Sequence, residues 1–380
     1  MQQKITKIIA FEPDIKTKAV AKEIQTTSGN FYSRCCAYNQ TLIQREEIMH
    51  LNARQSLDGP NIYIHSMKFR LDNRSNYENI KDITRSRKNE KTLYKVQVGI
   101  FKKILGKNQN KVCFFNFPFF KNECNMLNKE DIISLIDLQV EADAAYITVP
   151  FIPDFELKIN LEILAYANSK IKENSSIKEL VPCLSTRLPT NDFLEILSTA
   201  IIKTEINCVF ISCKALSTEK TSALLSYMDD NFPKSKLLIG VDIEDSSRSP
   251  SNRLSNHLFL RSFSFDITCR EVYFPLVENE PILLERKRLY HEKSGAMFNE
   301  KEQEDWEGIS FTDYIIKNFP ADCNLSVEEF IICLNFVKLN KTGLEEVNAI
   351  LEKRHDTYIQ EKPYYLALWA SRKSFLEDSE

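Results

Sequence analysis

Glycine is scarce in this chain. Its 380 residues include eight glycines, where an average usage of about 7% would place roughly 27. Between Lys107 and Ser294 the sole glycine is Gly240. Loops that cradle phosphate on backbone N–H groups need several glycines directly after a strand, so neither a dinucleotide fingerprint nor a P-loop is present. NAD, FAD and ATP sites of the common kinds are thereby disfavoured, and no cofactor is expected. Histidine is thin as well: His50, His65, His257, His291 and His355 are scattered, and no H-x-x-x-H or H-E-x-x-H occurs. The ten cysteines show no C-x-x-C spacing, and Cys35-Cys36 lacks a second pair at finger distance. Cys113, Cys183, Cys208 and Cys213 fall inside apolar runs and read as reduced, buried thiols of a cytoplasmic protein. No G-x-S-x-G elbow is found. Long apolar runs are missing too. None approaches the roughly eighteen residues a membrane span needs, and Met1 to Ile5 has a charge but no apolar core of a signal peptide, so neither export nor a membrane partner is expected.

What is present is an ordinary composition, 43% apolar and 27% charged, with a strong βα rhythm. From Lys111 to Asp266 short apolar runs alternate with amphipathic ones: Val112 to Phe119, Ala145 to Phe151, Leu180 to Ser185, Asn207 to Cys213, Leu237 to Ile243 and Leu258 to Phe265. Each lacks polar alternation, as strands buried on both faces should. With Ile5 to Phe11 and Asn61 to Phe69 upstream the count reaches eight. The expected fold is therefore α/β, a (β/α)8 TIM-like barrel over residues 1–295 with an all-helical C-terminal appendage over 296–380; an open doubly wound parallel sheet is the alternative.

Charge is distributed unevenly. From Lys68 to Lys111 thirteen Lys or Arg face four acids, a local excess of nine on a chain whose total is −3. Such asymmetry suggests a polyanion site, with nucleic acid (tRNA or DNA) as the partner. Leu71 to Asn89 reads as a polar loop. Lys91 to Leu105 reads as a helix burying Leu93, Val96, Ile100 and Ile104, with Lys88, Lys91, Lys95 and Lys102 inside an arc of about 60° on the other side. An ordinary solvated surface is the plainer reading of the same residues.

Helices are expected at Tyr38 to Ala53, from an Asn128 cap over Lys129 to Glu141, at Phe155 to Ile171, from Thr190 to Lys203 and from Ser217 to Asp230. Beyond Pro275 only helices are expected: Ile282 to Glu292, Phe311 to Asn318, one opened by Ser326-x-x-Glu329, Gly343 to Arg354, and Tyr364 to Phe375. These C-terminal helices are a candidate protein-partner surface.

Reactive groups in parallel α/β folds sit at the carboxyl ends of strands, so the residues following each run are the candidates. They are Asn116, Asp154, Thr186 and Arg187, Ser212 and Lys214, Asp242 with Glu244 and Asp245, and Asp266 with Arg270. Two chemistries follow. In the first, Asp266 attacks a glycosidic carbon through an oxocarbenium-like transition state, Asp242 or Asp154 manages the leaving group's proton, and Arg187, Lys214 and Arg270 hold phosphates. In the second, Lys214 forms a Schiff base with a small carbonyl substrate. A carboxylate Mg²⁺ site from Asp242 with Glu244 or Asp245 is the one metal site the acids could build.

Phe265-Asp266 at the end of a late strand, together with the basic segment, resembles the tRNA-guanine transglycosylase family, barrels that exchange a nucleobase using two aspartates. The resemblance implies glycosyl transfer on RNA. Asn116-Phe117-Pro118 stands where that family carries an Asp-Ser-Gly-Gly-like turn, and its Cys-rich zinc site has no counterpart. The competing expectation, from another class, is a non-catalytic barrel that binds nucleic acid or serves as a protein scaffold.

Overall fold

The computed structural model describes residues 2–39, 62–67, 76–89, 92–118, 126–173, 178–198, 206–213, 224, 227–244, 255–270, 288–299, 306, 308–318 and 327–377. The chain divides into two compact units that interleave along the sequence. The first contains Met1–Ile9, Ile24–Phe31 and Asn61–Asp242, and the second Ala10–Glu23, Tyr32–Pro60 and Ile243–Glu380. The fold is mixed α/β and contains a six-stranded parallel sheet.

In the first unit, β7 (Tyr146–Pro150), β8 (Glu179–Ser185), β9 (Cys208–Ser212) and β10 (Leu237–Ile243) pair in parallel in sequence order. A parallel pair, β5 (Ile62–Ser66) and β6 (Val112–Asn116), lies in the same unit. Every residue of β6, β7 and β10 is buried, as expected for strands covered on both faces. Side chains alternate between faces. Phe115 therefore packs at 4.4 Å on Phe101 of a flanking helix, while Phe114 packs on Tyr146 at 4.5 Å and on Phe210 at 5.3 Å. Side chains stitch β6 to β7, where Thr148 Oγ1 donates to the Phe115 carbonyl at 2.6 Å. Gln139 of α3 (Lys129–Glu141) meets both main-chain groups of Thr148, accepting from its N–H at 2.8 Å and donating to its carbonyl at 2.9 Å. Those two groups would otherwise be unpaired in a buried strand.

The helix signals at Asn128 are realised as a full capping box, with Asn128 Oδ1 accepting from Asp131 N–H at 3.1 Å and Asn128 N–H donating to Asp131 Oδ2 at 3.0 Å. After β7, Asn160 of α4 (Leu157–Glu173) clamps Ile152, accepting from its N–H at 3.0 Å and donating to its carbonyl at 3.1 Å. This fixes the turn between β7 and α4, and the short helix α5 (Thr190–Glu195) follows β8.

The second unit holds the parallel pair β4 (Cys35–Cys36) and β11 (Ile267–Arg270), a hairpin of β12 (Leu289–His291) and β13 (Ala296–Phe298), and the helices α6 (Asn256–Ser262), α7 (Phe311–Asn318), α8 (Val327–Leu351), α9 (His355–Gln360) and α10 (Pro363–Glu377). Its core gathers Leu258, Tyr290, Met297, Leu339, Tyr365 and Trp369. Gly343 lies in mid-helix because a Cβ there would sit 1.9 Å from the Arg34 carbonyl oxygen. A charged network is also buried in this unit. Arg34 Nη1 lies 3.4 Å from Glu346 Oε1, which accepts from Tyr365 Oη at 2.5 Å and lies 3.3 Å from His355 Nε2. Burial by itself would raise the Glu346 pKa, but Arg34 and then His355 outweigh it and hold the carboxyl down to about 2.

Several expectations need correction. Leu258 to Phe265 is not a strand: residues up to Ser262 form α6, and the strand is the following tetrapeptide β11. A short helix buried on all sides has the same apolar run as a buried strand. Ile5 to Phe11 contributes β1 (Ile5–Ala10) to a separate three-stranded sheet with β2 (Lys22–Thr26) and β3 (Gly29–Tyr32), not to the parallel sheet. Leu71 to Asn89 is no loop over its second half, where α1 (Asn76–Lys88) buries Asn79, Ile80, Ile83 and Thr84.

Lys88 ends α1, whereas Lys95 and Lys102 lie on α2 (Thr92–Lys107), so the proposed lysine row is split between two helices; Lys91 lies outside the described residues. The buried face of α2 is also rotated from expectation, to Tyr94, Gln97, Val98, Phe101 and Leu105, leaving Val96 49% and Ile100 40% exposed. Beyond Pro275 the described residues are not helices alone: they open on the hairpin, since Leu289–His291 is a strand and Gly295, at φ 72°, occupies its turn. Gly343 to Arg354 is no separate helix; up to Leu351 it continues α8. The helix expected at Tyr38 to Ala53 falls, from residue 40 on, outside the described residues. Among the described residues no strand pairing closes a barrel.

Candidate active site

The carboxyl ends of four first-unit strands meet in a buried polar cluster. Asp242, the penultimate residue of β10, is 3% exposed and has φ 57°, in the left-handed region that glycine adopts freely and a buried side chain rarely does. Both its carboxyl oxygens are held: Asn116 Nδ2 donates to Oδ1 at 2.8 Å and Ser212 Oγ donates to Oδ2 at 2.8 Å. Asn116 Nδ2 lies 3.5 Å from Ser66 Oγ as well. Ser66, Asn116 and Ser212 each end a strand, two residues after Ile64, Phe114 and Phe210, and so share their faces. Ser212 is anchored in turn by Thr186, whose N–H and Oγ1 both donate to its carbonyl, at 3.1 and 3.2 Å.

One polar atom in this cluster has no partner among the described residues: Asn116 Oδ1, on a side chain 1% exposed. A buried acceptor without a donor costs about 1–3 kcal/mol. The cluster therefore combines a gripped carboxyl, a strained backbone and an unmet acceptor, three features of the kind that concentrate where a ligand supplies the missing contact. The nearby thiols are inert. Burial first, and then the Asp242 charge, push Cys183 and Cys213 well above the ordinary thiol range, so they stay protonated and poor nucleophiles.

The remaining candidates lie elsewhere. Asp154 is exposed in the turn after β7. Arg187 is half-buried in the turn after β8, where its N–H donates to Ser185 Oγ at 3.2 Å. Asp266 belongs to the second unit and precedes β11, at the strand's amino end rather than its carboxyl end. Its Oδ2 forms an ion pair with Lys22 Nζ at 2.8 Å, both side chains being nearly inaccessible. Arg270, at the carboxyl end of β11, accepts from Asn39 Nδ2 on its carbonyl at 3.4 Å. Lys214 and Asp245 fall outside the described residues, and among those described no three His, Cys, Asp or Glu side chains converge as a metal site.

The basic segment contributes a crevice of about 350 Å³ lined by Lys81, Thr84, Arg85 and Lys88 of α1 and by Asn128 to Asp131 at the start of α3. Carboxylates partly offset its cations, with Lys88 3.5 Å from Glu130 and Lys129 2.6 Å from Glu162. Lys95 and Lys102 are exposed on α2 and do not line it.

Sequence reasoning reached Asn116 and Ser212 as strand-end residues but gave them no role, and it missed Ser66. The signal for Ser66 was the alternating run Ile62-Tyr63-Ile64-His65, whose next residue is the strand end. Among the described residues no helix is long and apolar enough to cross a membrane. Comparison with protein-family models and with curated proteins gives no match for this chain.

Proposed function

We propose that the protein is an enzyme acting on a polyanionic substrate, nucleic acid, at a glycosidic bond, with Asp242 as its reacting carboxyl. The observation that carries this reading is the Asp242 cluster, in which a buried carboxyl in left-handed backbone is oriented at both oxygens beside the unmet acceptor of Asn116. A carboxylate held this way can stabilise or attack an oxocarbenium-like carbon without reorganising. Asp154, in the exposed turn after β7, is assigned the leaving group's proton, and Arg187 a phosphate contact. The α1–α3 crevice, with Lys81, Arg85, Lys88 and Lys129, supplies the electrostatic footprint for the backbone. Asp266 is assigned a structural ion pair with Lys22 instead of a catalytic role.

The architecture that goes with this reading is a (β/α)8 barrel. Pairing runs in sequence order through β5–β6 and β7 to β10, while the first parallel strand of the chain, β4, pairs with the last, β11. A singly wound barrel requires that first-to-last pairing, whereas an open doubly wound sheet reverses its strand order.

The test is binding of labelled tRNA and duplex DNA at about 50 and 200 mM salt, followed by assays for base release and for incorporation of free labelled nucleobase. The expected result is binding that falls steeply with salt and is lost when Lys81, Arg85 and Lys88 are changed to Glu, with turnover on the bound substrate. Equal binding by wild type and variant would contradict the assigned surface. Binding without turnover would favour the non-catalytic binding module.

A further inference from the structure

A nucleophilic group lies outside the chemistry assigned above. Cys36, in the second unit, ends β4, and its Sγ accepts from Arg261 Nη2 at 3.4 Å and lies 3.4 Å from Thr268 Oγ1 and 3.9 Å from His257 Nδ1. His257 Nδ1 and Thr268 Oγ1 are themselves 3.0 Å apart, so the imidazole is oriented toward the sulfur by a fixed neighbour. The backbone is fixed too: Cys36 N–H donates to Asn340 Oδ1 at 2.8 Å, and Asn340 Nδ2 donates back to the Cys36 carbonyl at 3.4 Å. Cys36 and His257 both line a cavity of about 30 Å³, whose remaining walls are mostly apolar, with Ala37, Ile332, Phe336 and Leu339 beside Asn39 and Asn335. A water-sized occupant needs about 10–15 Å³ by this measure, so the cavity admits a solute of two heavy atoms and little more.

We propose that Cys36 is a peroxide-reactive thiolate, oxidised to the sulfenic acid by a small hydroperoxide that enters this cavity. The cationic and hydrogen-bonding neighbours favour the charged form: burial alone would raise this thiol, but His257 and Arg261 bring it down to about 7. The adjacent Cys35 has the opposite fate, pushed up to about 12 by burial and by the charge on Cys36. In the reaction the thiolate sulfur attacks one peroxide oxygen, the S–O bond forms and the O–O bond breaks. Sulfur loses two electrons, and the departing hydroxide takes up a proton, with His257 the nearest titratable group able to supply it, and leaves as water. Hydrogen peroxide, with two heavy atoms, matches the volume beside the Cys36 sulfur.

The full chain would be treated with substoichiometric hydrogen peroxide, unfolded in the presence of a sulfenic-acid trap, and mapped by peptide mass. The expected result is that Cys36 carries the label at least tenfold ahead of Cys35 and Cys113, as a thiolate fraction near one half at pH 7 against about 3% for an ordinary thiol implies. His257→Gln should slow Cys36 labelling about tenfold while leaving the tryptophan emission of the second unit unchanged. The inference is overturned if Cys36 reacts no faster than Cys35 in the folded wild type, or if His257→Gln reacts at the wild-type rate. If His257→Gln alters the emission, Thr268→Val replaces it under the same criterion.

Discussion

Reassigning Asp266 from catalysis to structure makes a quantitative prediction. Its carboxylate and the Lys22 ammonium are 2.8 Å apart with side chains 3% and 6% exposed. Breaking such a pair leaves one charge buried without compensation, which typically costs about 3–5 kcal/mol, whereas replacing both partners by apolar groups of similar volume is often neutral. Lys22→Met and Asp266→Leu should therefore each destabilise the second unit by about that amount, and the double variant should recover most of it. The assay is intrinsic fluorescence in a urea titration, because the chain's two tryptophans, Trp306 and Trp369, both lie in the second unit and are buried. With a urea slope of about 2 kcal/mol per molar, each single variant should lower the midpoint by roughly 1.5–2.5 M. Asp266→Leu with a wild-type midpoint but no turnover would refute the structural assignment and restore the catalytic one.

Three further outcomes follow from particular contacts. Gly343→Ala drives a Cβ to 1.9 Å from the Arg34 carbonyl oxygen, a clash with backbone that no rotamer relieves. The second-unit transition should drop by at least about 3 kcal/mol in the same fluorescence titration, against about 1 kcal/mol gained at an open helical glycine. Glu346, whose pKa is depressed to about 2, contributes stability that is fully present above its unfolded value near 4.3 and is lost as pH falls toward 2. Acid titrations should show a loss of order 3 kcal/mol across that window, and Glu346→Gln should flatten it while lowering stability at neutral pH. At Asp242, the Gly variant should be at least as stable as the Ala variant, and by up to about 1 kcal/mol more so, because the left-handed backbone at φ 57° costs alanine about 1–2 kcal/mol and the larger unfolded-state entropy of glycine offsets only part of it; an Ala variant more stable than the Gly variant by calorimetry would remove the strain argument.

How much of this was legible depended on the length and setting of each segment. β6 to β10 were readable because largely apolar runs of five to seven residues, with their polar residues mostly at the strand ends, leave few alternatives in a βα rhythm. Leu258 to Phe265 carried the same pattern for a different reason: α6 buries Leu258, Leu260 and even Arg261, and so shows no polar stripe to betray its period. β4, at two residues, is too short to carry a pattern, and α1 hides two isoleucines among thirteen mostly polar residues. At the site, the strand-end rule reached Asp242, Asn116 and Ser212 but placed Asp266 at the wrong end once its strand had been misread. The Cys36–His257 pairing joins residues 221 positions apart, and nothing local announces it.

The proposed chemistry stands or falls with the Asp242 carboxyl. The most direct measurement is single-turnover base release or exchange by Asp242→Asn, with substrate binding measured on the same preparation. Asparagine tolerates left-handed backbone and can still accept from Asn116, so the fold and the binding should persist. The expected result is unchanged affinity with turnover reduced at least a thousandfold, about 4 kcal/mol in the barrier. Wild-type turnover in Asp242→Asn would contradict it.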